Sequence, residues 1–187
     1  MDELTKMLNG EFFDPRDPAL AELRLKASDL CAEFNGLSRR QEDGRQSVLR
    51  RLLGGMGENV LISQNFYCDY GFNIFVGDNF YVNFNCVMLD CARITIGNNV
   101  LIGPNCSFYT PIHPIEPELR RRGAEMAKPI CIGDDVWLGG NVTVLPGVSI
   151  GSGSVIGAGS VVTGNIPENA VAFGNPCQVV RRINLEI

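Results

Sequence analysis

The feature that most constrains the fold of this chain is an aliphatic residue at every sixth position in its second half. The row reads Ile132, Leu138, Val144, Ile150, Ile156 and Val162. A helix of 3.6 residues per turn cannot keep such a period on one face, and the frequent glycines and β-branched residues also disfavour a helix. The pattern predicts short strands joined by tight turns, with one aliphatic side chain per strand pointing towards a common axis. Such a chain is a solenoid, in which each coil covers the edge of the next.

The same spacing extends beyond this row. A second row, two positions earlier, reads Ile130, Val136, Val142, Val148, Ser154 and Ser160. Earlier blocks repeat the spacing at Val76, Val82 and Met88, and again at Ile96, Ile102 and Phe108. Two-residue spacers reset the phase between blocks, and a loop over residues 109–129 resets it again. Gly77 and Asn83 are predicted to take turn positions with positive φ, which these residue types tolerate.

The first 55 residues lack this period and are predicted to be helical. In RDPALAELRLKASDLCAEFNG, residues 16–36, Asp17 is a candidate N-cap, Pro18 suits the first helical position and Gly36 is a stop signal. A shorter helix is predicted over RQSVLRRLL, residues 45–53. The chain is therefore predicted to comprise a helical region over residues 1–55 and a β-helix over residues 56–187, which includes the loop and a C-terminal tail.

Composition excludes several classes of protein. The 187 residues are 45% hydrophobic and 20% charged, which suits one globular domain with a sizeable core. The acidic start MDELTKMLNGEFF does not resemble a signal peptide, and no run reaches the ~18 apolar residues of a membrane span. The net charge of −5 disfavours nucleic-acid binding. Seven cysteines without a CxxC pair indicate reduced, mostly buried thiols and a cytoplasmic location.

Several motifs resemble those of the hexapeptide-repeat acyltransferases, and specifically the galactoside and maltose O-acetyltransferases. They are GEFFDPRDPAL near the N-terminus, FYCDYGFNIFVGDNFYVNFNCVMLD, and HP…ELRRRGAEMAKPICIGDDVWLGG, followed by the repeats up to FGNP. The resemblance covers nearly the whole chain. It implies a left-handed parallel β-helix with an N-terminal α-helical region and an extruded loop. It also implies a homotrimer whose sites lie between neighbouring subunits.

His113 is the single histidine and lies in YTPIHPIEP, residues 109–117. A catalytic zinc site needs three protein ligands, which one histidine per chain can supply only on a three-fold axis, so no metal is expected. Imidazole suits a general base near neutral pH, although the residues alone leave a surface or packing role open. The resemblance implies that His113 is the base. Pro111 and Pro114 are expected to hold the ring without a secondary-structure element around it.

The resemblance also implies an acceptor site that binds sugar hydroxyls. The matching positions are Asp14, Asp69, Tyr81, Asn83, Glu125 and Met126. Asp69 can accept hydrogen bonds from two hydroxyls and Asn83 can donate and accept, although Asn83 also suits a simple turn. Ala124 is an extra residue in GAEM, and Cys91 replaces an acid of the galactoside acetyltransferases. The latter departure favours a maltose- or glucose-type acceptor, or an unknown one.

The donor implied by the resemblance is acetyl-CoA, which would lie along glycine-rich coils such as GSGSVIGAGS. The positions that match cofactor contacts are Trp137, Gly140, Ala158, Thr163 and Arg181. The Gly140 N–H would stabilise the oxyanion of the thioester. Gly164 and Gln178 stand where relatives have Lys and Arg. Cationic contacts to the cofactor would therefore depend on Arg181, Arg182 and Lys128.

These observations predict an acetyl-CoA-dependent O-acetyltransferase that acts on a sugar hydroxyl of the maltose, glucose or galactoside type. The hydroxyl would attack the thioester directly, because no activated nucleophile accompanies the histidine. Two alternatives remain. The same scaffold can serve a non-sugar acceptor, such as serine, an antibiotic or a lipo-oligosaccharide, or it can be a non-catalytic binding module. The motifs GEFFDPRDPAL and CDYG favour the sugar acceptor.

Overall fold

The computed structural model describes residues 1–184, and three helices precede the strands. They are α1 (Glu3–Leu8), α2 (Pro18–Gly36) and α3 (Glu42–Leu52). The predicted start of α2 is confirmed, because the Asp17 carboxylate accepts a hydrogen bond from the Ala19 N–H at 2.9 Å. α3 begins earlier than predicted and includes Gly44, which weakens but does not prevent a helix. The short α1 lies within the region predicted to be helical, but its bounds were not predicted, since six residues show no helical period.

The strands follow in successive coils. The first three coils contain β1 (Gly55–Met56), β2 (Leu61–Ile62), β3 (Tyr67–Cys68), β4 (Ile74–Val76), β5 (Tyr81–Val82), β6 (Val87–Leu89), β7 (Ile94–Ile96), β8 (Leu101–Ile102) and β9 (Ser107–Tyr109). An insertion then contains β10 (Pro111–Ile112), α4 (Pro117–Arg121) and β11 (Met126–Ala127). The last strands are β12 (Ile130–Ile132), β13 (Trp137–Leu138), β14 (Thr143–Val144), β15 (Ser149–Ile150), β16 (Val155–Ile156), β17 (Val161–Val162), β18 (Ala170–Gly174) and β19 (Cys177–Arg182).

These strands stack into three sheets, which form the faces of a parallel β-solenoid. Face 1 has the order β1-β4-β7-β12-β15, face 2 has β2-β5-β8-β13-β16-β18-β19, and face 3 has β3-β6-β9-β14-β17. All neighbours within the faces are parallel except β18 and β19, which form an antiparallel hairpin. The predicted solenoid with a helical N-terminus and an extruded loop is confirmed.

The interior contains the side chains that the six-residue period selects. Every member of the row from Ile132 to Val162 is at most 3% exposed. Ser154 and Ser160 are also fully buried, and the Ser154 hydroxyl donates to the Pro167 carbonyl at 2.8 Å. Helical residues such as Phe34 and Leu49 belong to the same apolar cluster, so the helical region packs directly on the coils.

Coil length changes along the solenoid. In the early coils, equivalent positions lie 20 residues apart, as the hydrogen bond between the side chains of Asn79 and Asn99 shows. In the later coils they lie 18 residues apart, as the hydrogen bond from the Asp134 N–H to the Ser152 hydroxyl shows. The predicted two-residue spacers cause this difference. They lie at the corner where face 3 leads into face 1, and the insertion leaves the solenoid at the same corner.

The prediction of positive φ at Gly77 and Asn83 is wrong. The left-handed residues lie two positions later, at Asn79 (φ 55°) and Asn85 (φ 62°). Gly77 is needed for a different reason, because a Cβ there would lie 2.8 Å from the carbonyl of Gly97 in the next coil. The side chain of Asn83 accepts a hydrogen bond from the Phe84 N–H at 2.8 Å.

Asparagine side chains link the coils along two corners. The Asn59 amide donates to Asn79, Asn79 to Asn99, and Asn99 to Asp135, over 2.9–3.0 Å. A second ladder joins Asn65, Asn85 and Asn105. Asparagine tolerates the left-handed conformation and also pairs with a copy of itself, so it satisfies both requirements of these corners.

The insertion is more regular than predicted. β10 pairs antiparallel with β11, with Pro111 opposite Ala127 and Ile112 opposite Met126. His113 therefore follows directly after a paired strand, and the expectation of a ring held without secondary structure is wrong. No helix within residues 1–184 has the length and apolar character that a membrane span requires.

We expect Gly97→Ala to lower the free energy of unfolding by about 1–3 kcal/mol, the usual cost of extra volume at a packed site. A Cβ at this position would lie 2.8 Å from the Gly133 carbonyl carbon of the next coil. Gly164→Ala is the matched control, because a Cβ there has no heavy atom within 4 Å. Urea unfolding at one protein concentration compares the variants, and equal stability would contradict close stacking at Gly97.

Candidate active site

A cleft of about 390 Å³ lies beside the insertion. Three parts of the chain form it: the segment that leads into α2, the face 3 to face 1 corner, and the insertion itself. Its main polar lining residues are Arg16, Arg24, Asp69, Tyr70, His113 and Glu125. The predicted residues Asp69, His113 and Glu125 are thus brought together from positions far apart in the sequence.

The imidazole of His113 lies at the rim of this cleft and is 61% exposed. Its Nδ1 atom is 3.8 Å from Oε2 of Glu125, whose side chain is only 9% exposed. The Glu125 backbone pairs with Phe13 through two hydrogen bonds of 2.9 and 3.0 Å. The N-terminal segment therefore holds the carboxylate that faces the histidine.

The Cys91 thiol lies between two carboxylates. Its Sγ atom is 3.4 Å from Oε1 of Glu125 and 3.6 Å from Oδ2 of Asp69. Burial raises the pKa of both acids, although the Cys91 hydrogen bonds oppose that effect. Burial, together with the neighbouring carboxylates, raises the pKa of Cys91 far above its ordinary value. Cys91 is therefore a protonated hydrogen-bond donor and not a nucleophile.

Asp90 organises the turn that carries Asp69. It is fully buried, and its carboxylate accepts hydrogen bonds from the backbone N–H groups of Asp69 (3.1 Å), Tyr70 (2.8 Å) and Asn73 (3.2 Å). Burial raises the pKa of Asp90 to about 6, although these hydrogen bonds act in the opposite direction. Asp90 is the last residue of the motif FYCDYGFNIFVGDNFYVNFNCVMLD, but nothing in the sequence indicates its structural role.

Two arginines of the cleft were not predicted. Arg24 projects from α2 and donates to the Tyr70 hydroxyl and to the Pro15 carbonyl, both at 2.6 Å. Arg16 forms two side-chain hydrogen bonds of 2.8 Å with Asp14. A positive side chain in a helix gives no signal of its partner in the sequence, so the pattern could not find the contacts of Arg24. Arg16 lies before α2, and no motif marked it as a residue of the cleft.

Asp14 and Met126 flank this cleft without lining it. The ion pair with Arg16 lowers the pKa of Asp14 to about 2. Asp14 also borders a separate depression with Glu3 and Arg122. Met126 is half-buried in β11. The role of these two residues in acceptor binding stays a prediction.

The remaining predicted residues lie on face 2 and at its corners. One row across face 2 contains Tyr81, Leu101, Trp137, Val155, Val171 and Arg181, each paired with the next in register. Gly140 and Ala158 lie in turns between faces 2 and 3 that stack on each other. The stacking is close, because a Cβ on the neighbouring Gly139 would lie 2.7 Å from the Ala158 nitrogen. Asn83 lies at the same corner, and Thr163 follows β17 on face 3.

One chain therefore carries two separate groups of predicted residues. The insertion that carries His113 leaves the solenoid at the corner between face 3 and face 1. Gly140 lies at the opposite end of face 3. The width of that face, about five residues in extended conformation, is roughly 15 Å. Within residues 1–184, no cluster of three or more His, Cys, Asp or Glu side chains has an arrangement that could hold a metal ion.

Comparison with known proteins shows the family to which this chain belongs. Residues 6–57 match the profile of the maltose acetyltransferase hexapeptide capping motif, residues 132–164 match that of the bacterial transferase hexapeptide with six repeats, and residues 93–113 match that of the hexapeptide repeat of succinyl-transferase. A putative acetyltransferase of Saccharomyces cerevisiae is 50% identical over 184 residues, which are 98% of this chain and 94% of the relative.

Two solved structures are also similar to this chain over nearly its whole length. A maltose O-acetyltransferase from Clostridium difficile has a TM-score of 0.97 at 45% identity, with 98% of each chain covered. A galactoside acetyltransferase in complex with coenzyme A has a TM-score of 0.94 at 42% identity, with 98% of this chain and 92% of the other covered. The solenoid and its capping helices define a hexapeptide-repeat acyltransferase. More particularly, the chain belongs to the family of maltose and galactoside O-acetyltransferases, which confirms the predicted family and enzyme class.

The pH dependence of stability tests the structural role of Asp90. Its pKa in the folded chain, about 6, lies above the ordinary value of 3.8, so the folded state keeps the proton to a higher pH. The contribution of Asp90 to stability therefore falls as the pH rises from about 4 to about 6. Asp90→Asn cannot titrate, so we expect the stability advantage of the native chain over this variant to shrink by about 2–3 kcal/mol across that window.

Urea unfolding at pH 4, 5, 6 and 7 measures this difference. Asp29→Asn serves as the control, because Asp29 is an exposed acid on α2. If the difference between the native chain and Asp90→Asn stays constant with pH, Asp90 does not titrate in the proposed window.

Proposed function

We propose that this protein is an acetyl-CoA-dependent O-acetyltransferase that transfers an acetyl group to a sugar hydroxyl, with His113 as the general base. The observation that carries the proposal is the position of the only imidazole at the rim of a polar cleft, with a carboxylate beside it. A base must lie within reach of the hydroxyl whose proton it removes, and an exposed ring at a cleft rim satisfies that requirement.

The acceptor class follows from the groups inside the cleft. Asp69 and Glu125 supply carboxylate oxygens, and Arg24 and Tyr70 supply donors. A sugar presents several hydroxyls that each donate and accept, so it can pair with both sets. Cys91 supplies a neutral donor where galactoside acetyltransferases have an acid, and this difference supports a maltose- or glucose-type acceptor.

The donor assignment rests on face 2 and its corner. The related galactoside acetyltransferase binds coenzyme A. In this chain, Trp137 is 54% exposed and lies three strands from Arg181 in the same row. The Gly140 carbonyl accepts from Gly159 at 2.9 Å, whereas among backbone hydrogen bonds of residues 1–184 none uses the Gly140 N–H. That N–H can therefore donate to the oxyanion of the thioester.

The reaction proceeds by direct attack. His113 accepts the hydroxyl proton while the oxygen forms a bond to the thioester carbonyl carbon. The tetrahedral oxyanion then collapses, the carbon–sulfur bond breaks, and the CoA thiolate takes the proton from the imidazolium. An acyl-enzyme is not needed. Cys91 lies near His113 but its raised pKa keeps it protonated.

The assembly proposed is a homotrimer in which neighbouring chains share each site. The separation of His113 from Gly140 and Trp137 within one chain supports this arrangement, because base and donor groove must meet at one acetyl group. Face 2 also exposes a row of large apolar side chains, which includes Leu61, Leu101 and Trp137. A second copy of the chain can cover this surface.

His113→Ala is expected to lower kcat by about 10²–10⁴-fold, because it removes the base and leaves the binding groups in place. Free-thiol release from acetyl-CoA, with maltose, glucose and a galactoside as acceptors, measures the rate. Ile115→Ala is the matched control, since Ile115 lies on the same insertion and is 90% exposed. Retention of activity by the His113 variant contradicts the mechanism, whereas acetylation of a non-sugar alcohol alone contradicts the acceptor class.

Complementation tests the shared site. Trp137→Ala is expected to raise the KM for acetyl-CoA about tenfold, the worth of one aromatic contact. If base and donor groove come from different chains, trimers that mix this variant with His113→Ala regain roughly a quarter of native activity at low acetyl-CoA, as random pairing requires. Light scattering of the native protein should give three times the chain mass of 20.4 kDa. No recovery in mixed trimers contradicts a site between subunits.

A further inference from the structure

We propose that Glu125 is a positioning residue that selects the tautomer and orientation of His113, and that the Cys91 thiol holds Glu125 in that role. This inference rests on the proposed function of His113 as the base. The sequence predicted only that Glu125 contacts the acceptor, and the present proposal adds a second role for this residue. It also gives a role to Cys91, which replaces an acid of the galactoside acetyltransferases.

The strand register places the two residues opposite each other. Because Pro111 lies opposite Ala127 and Ile112 opposite Met126, continuation of the antiparallel ladder sets His113 opposite Glu125. Directly opposed residues of such a ladder have Cβ atoms about 4.5–5.5 Å apart. The side chains of His113 and Glu125 are therefore neighbours as a consequence of the hairpin.

The backbone of Glu125 is held on its other side as well. Its N–H donates to the Phe13 carbonyl at 3.0 Å and its carbonyl accepts from the Phe13 N–H at 2.9 Å. A residue held between two strands has little freedom to move its Cα atom. An acid that served only to bind a varied acceptor would not require such fixation, whereas one that orients a base does.

The side chain of Glu125 is oriented by Cys91. The thiol faces Oε1 at 3.4 Å, which leaves Oε2 directed at Nδ1 of His113, 3.8 Å away. That distance exceeds a hydrogen bond, but contacts of this kind commonly shorten when substrate binds. The ionisable groups around Glu125 are Cys91, Asp69, Arg24 and His113. A third acid at position 91 would add repulsion, and the thiol instead supplies a neutral donor.

The chemical effect concerns the proton on the imidazole. A carboxylate that faces Nδ1 favours the tautomer with the proton on Nδ1, so the lone pair of Nε2 is available for the hydroxyl proton. The carboxylate also stabilises the positive imidazolium that forms during attack. The same logic applies to other histidine bases that an acid orients.

The single histidine permits a direct experiment. Nitrogen-15 NMR of the neutral imidazole yields signals from one residue only, so the Nδ1–H and Nε2–H tautomers can be distinguished without assignment. We expect the native chain to populate mainly the Nδ1–H tautomer. Glu125→Gln should shift the population to Nε2–H and lower kcat by at least about tenfold with little change in the KM for acetyl-CoA. Glu116→Gln, a change to an exposed acid on the same insertion, should alter neither quantity.

Two variants of Cys91 test the second part of the proposal. Cys91→Ser retains a donor and should keep the native tautomer, whereas Cys91→Ala should shift it towards Nε2–H. If Glu125→Gln leaves the tautomer and kcat unchanged, or raises only the KM for the acceptor, the proposal is overturned. Because the NMR measurement needs no turnover, an absence of sugar acetylation by the native chain would overturn the proposed function separately.

Discussion

The structure depends on the close stacking of coils that hydrogen-bond backbone to backbone at the spacing of a β-sheet, about 4.8 Å. At that separation some corner positions have no room for a Cβ atom, which explains the glycines at positions such as 77 and 97. The left-handed corner residues must both tolerate a positive φ and satisfy their polar groups. Asparagine does so by pairing with the asparagine of the adjacent coil. The interior remains a continuous apolar column, as the six-residue period requires.

The corner that departs from this regularity is the corner that carries the candidate site. Between faces 3 and 1 the early coils are longer than the later ones, and the extra residues include Asp69, Asp90 and Cys91. The insertion leaves the solenoid at the same corner. Acidic and thiol side chains from successive coils are thus placed side by side, and the N-terminal segment closes over them through Phe13 and Arg24. A regular solenoid supplies the scaffold, and its irregular corner supplies the cleft.

Burial controls the electrostatics of this cleft. It raises the pKa of Asp69, Asp90 and Glu125, while hydrogen bonds from Cys91 or from backbone N–H groups limit the shift. Three acids this close would repel each other strongly if all were charged and unpaired. The protonated Cys91 thiol and the Arg24 guanidinium reduce that repulsion. The proposed base His113 remains at the rim, where it is accessible to a hydroxyl.

The sequence by itself determined the solenoid and the start of α2 at Asp17 and Pro18, because both depend on local signals. It also contains a single histidine, His113, but the proposal that His113 is the base came from the family resemblance. A six-residue period separates inside from outside regardless of coil length, and a helix cap requires only adjacent residues. The tertiary structure alone decided that left-handed corners lie at Asn79 and Asn85, that Asp90 supports a turn, and that Glu125 faces His113. Those contacts depend on the register between coils and on pairing between segments as distant as Phe13 and Glu125. A local pattern carries no information about which distant residues meet, so only the folded chain could show how the residues of the candidate site come together.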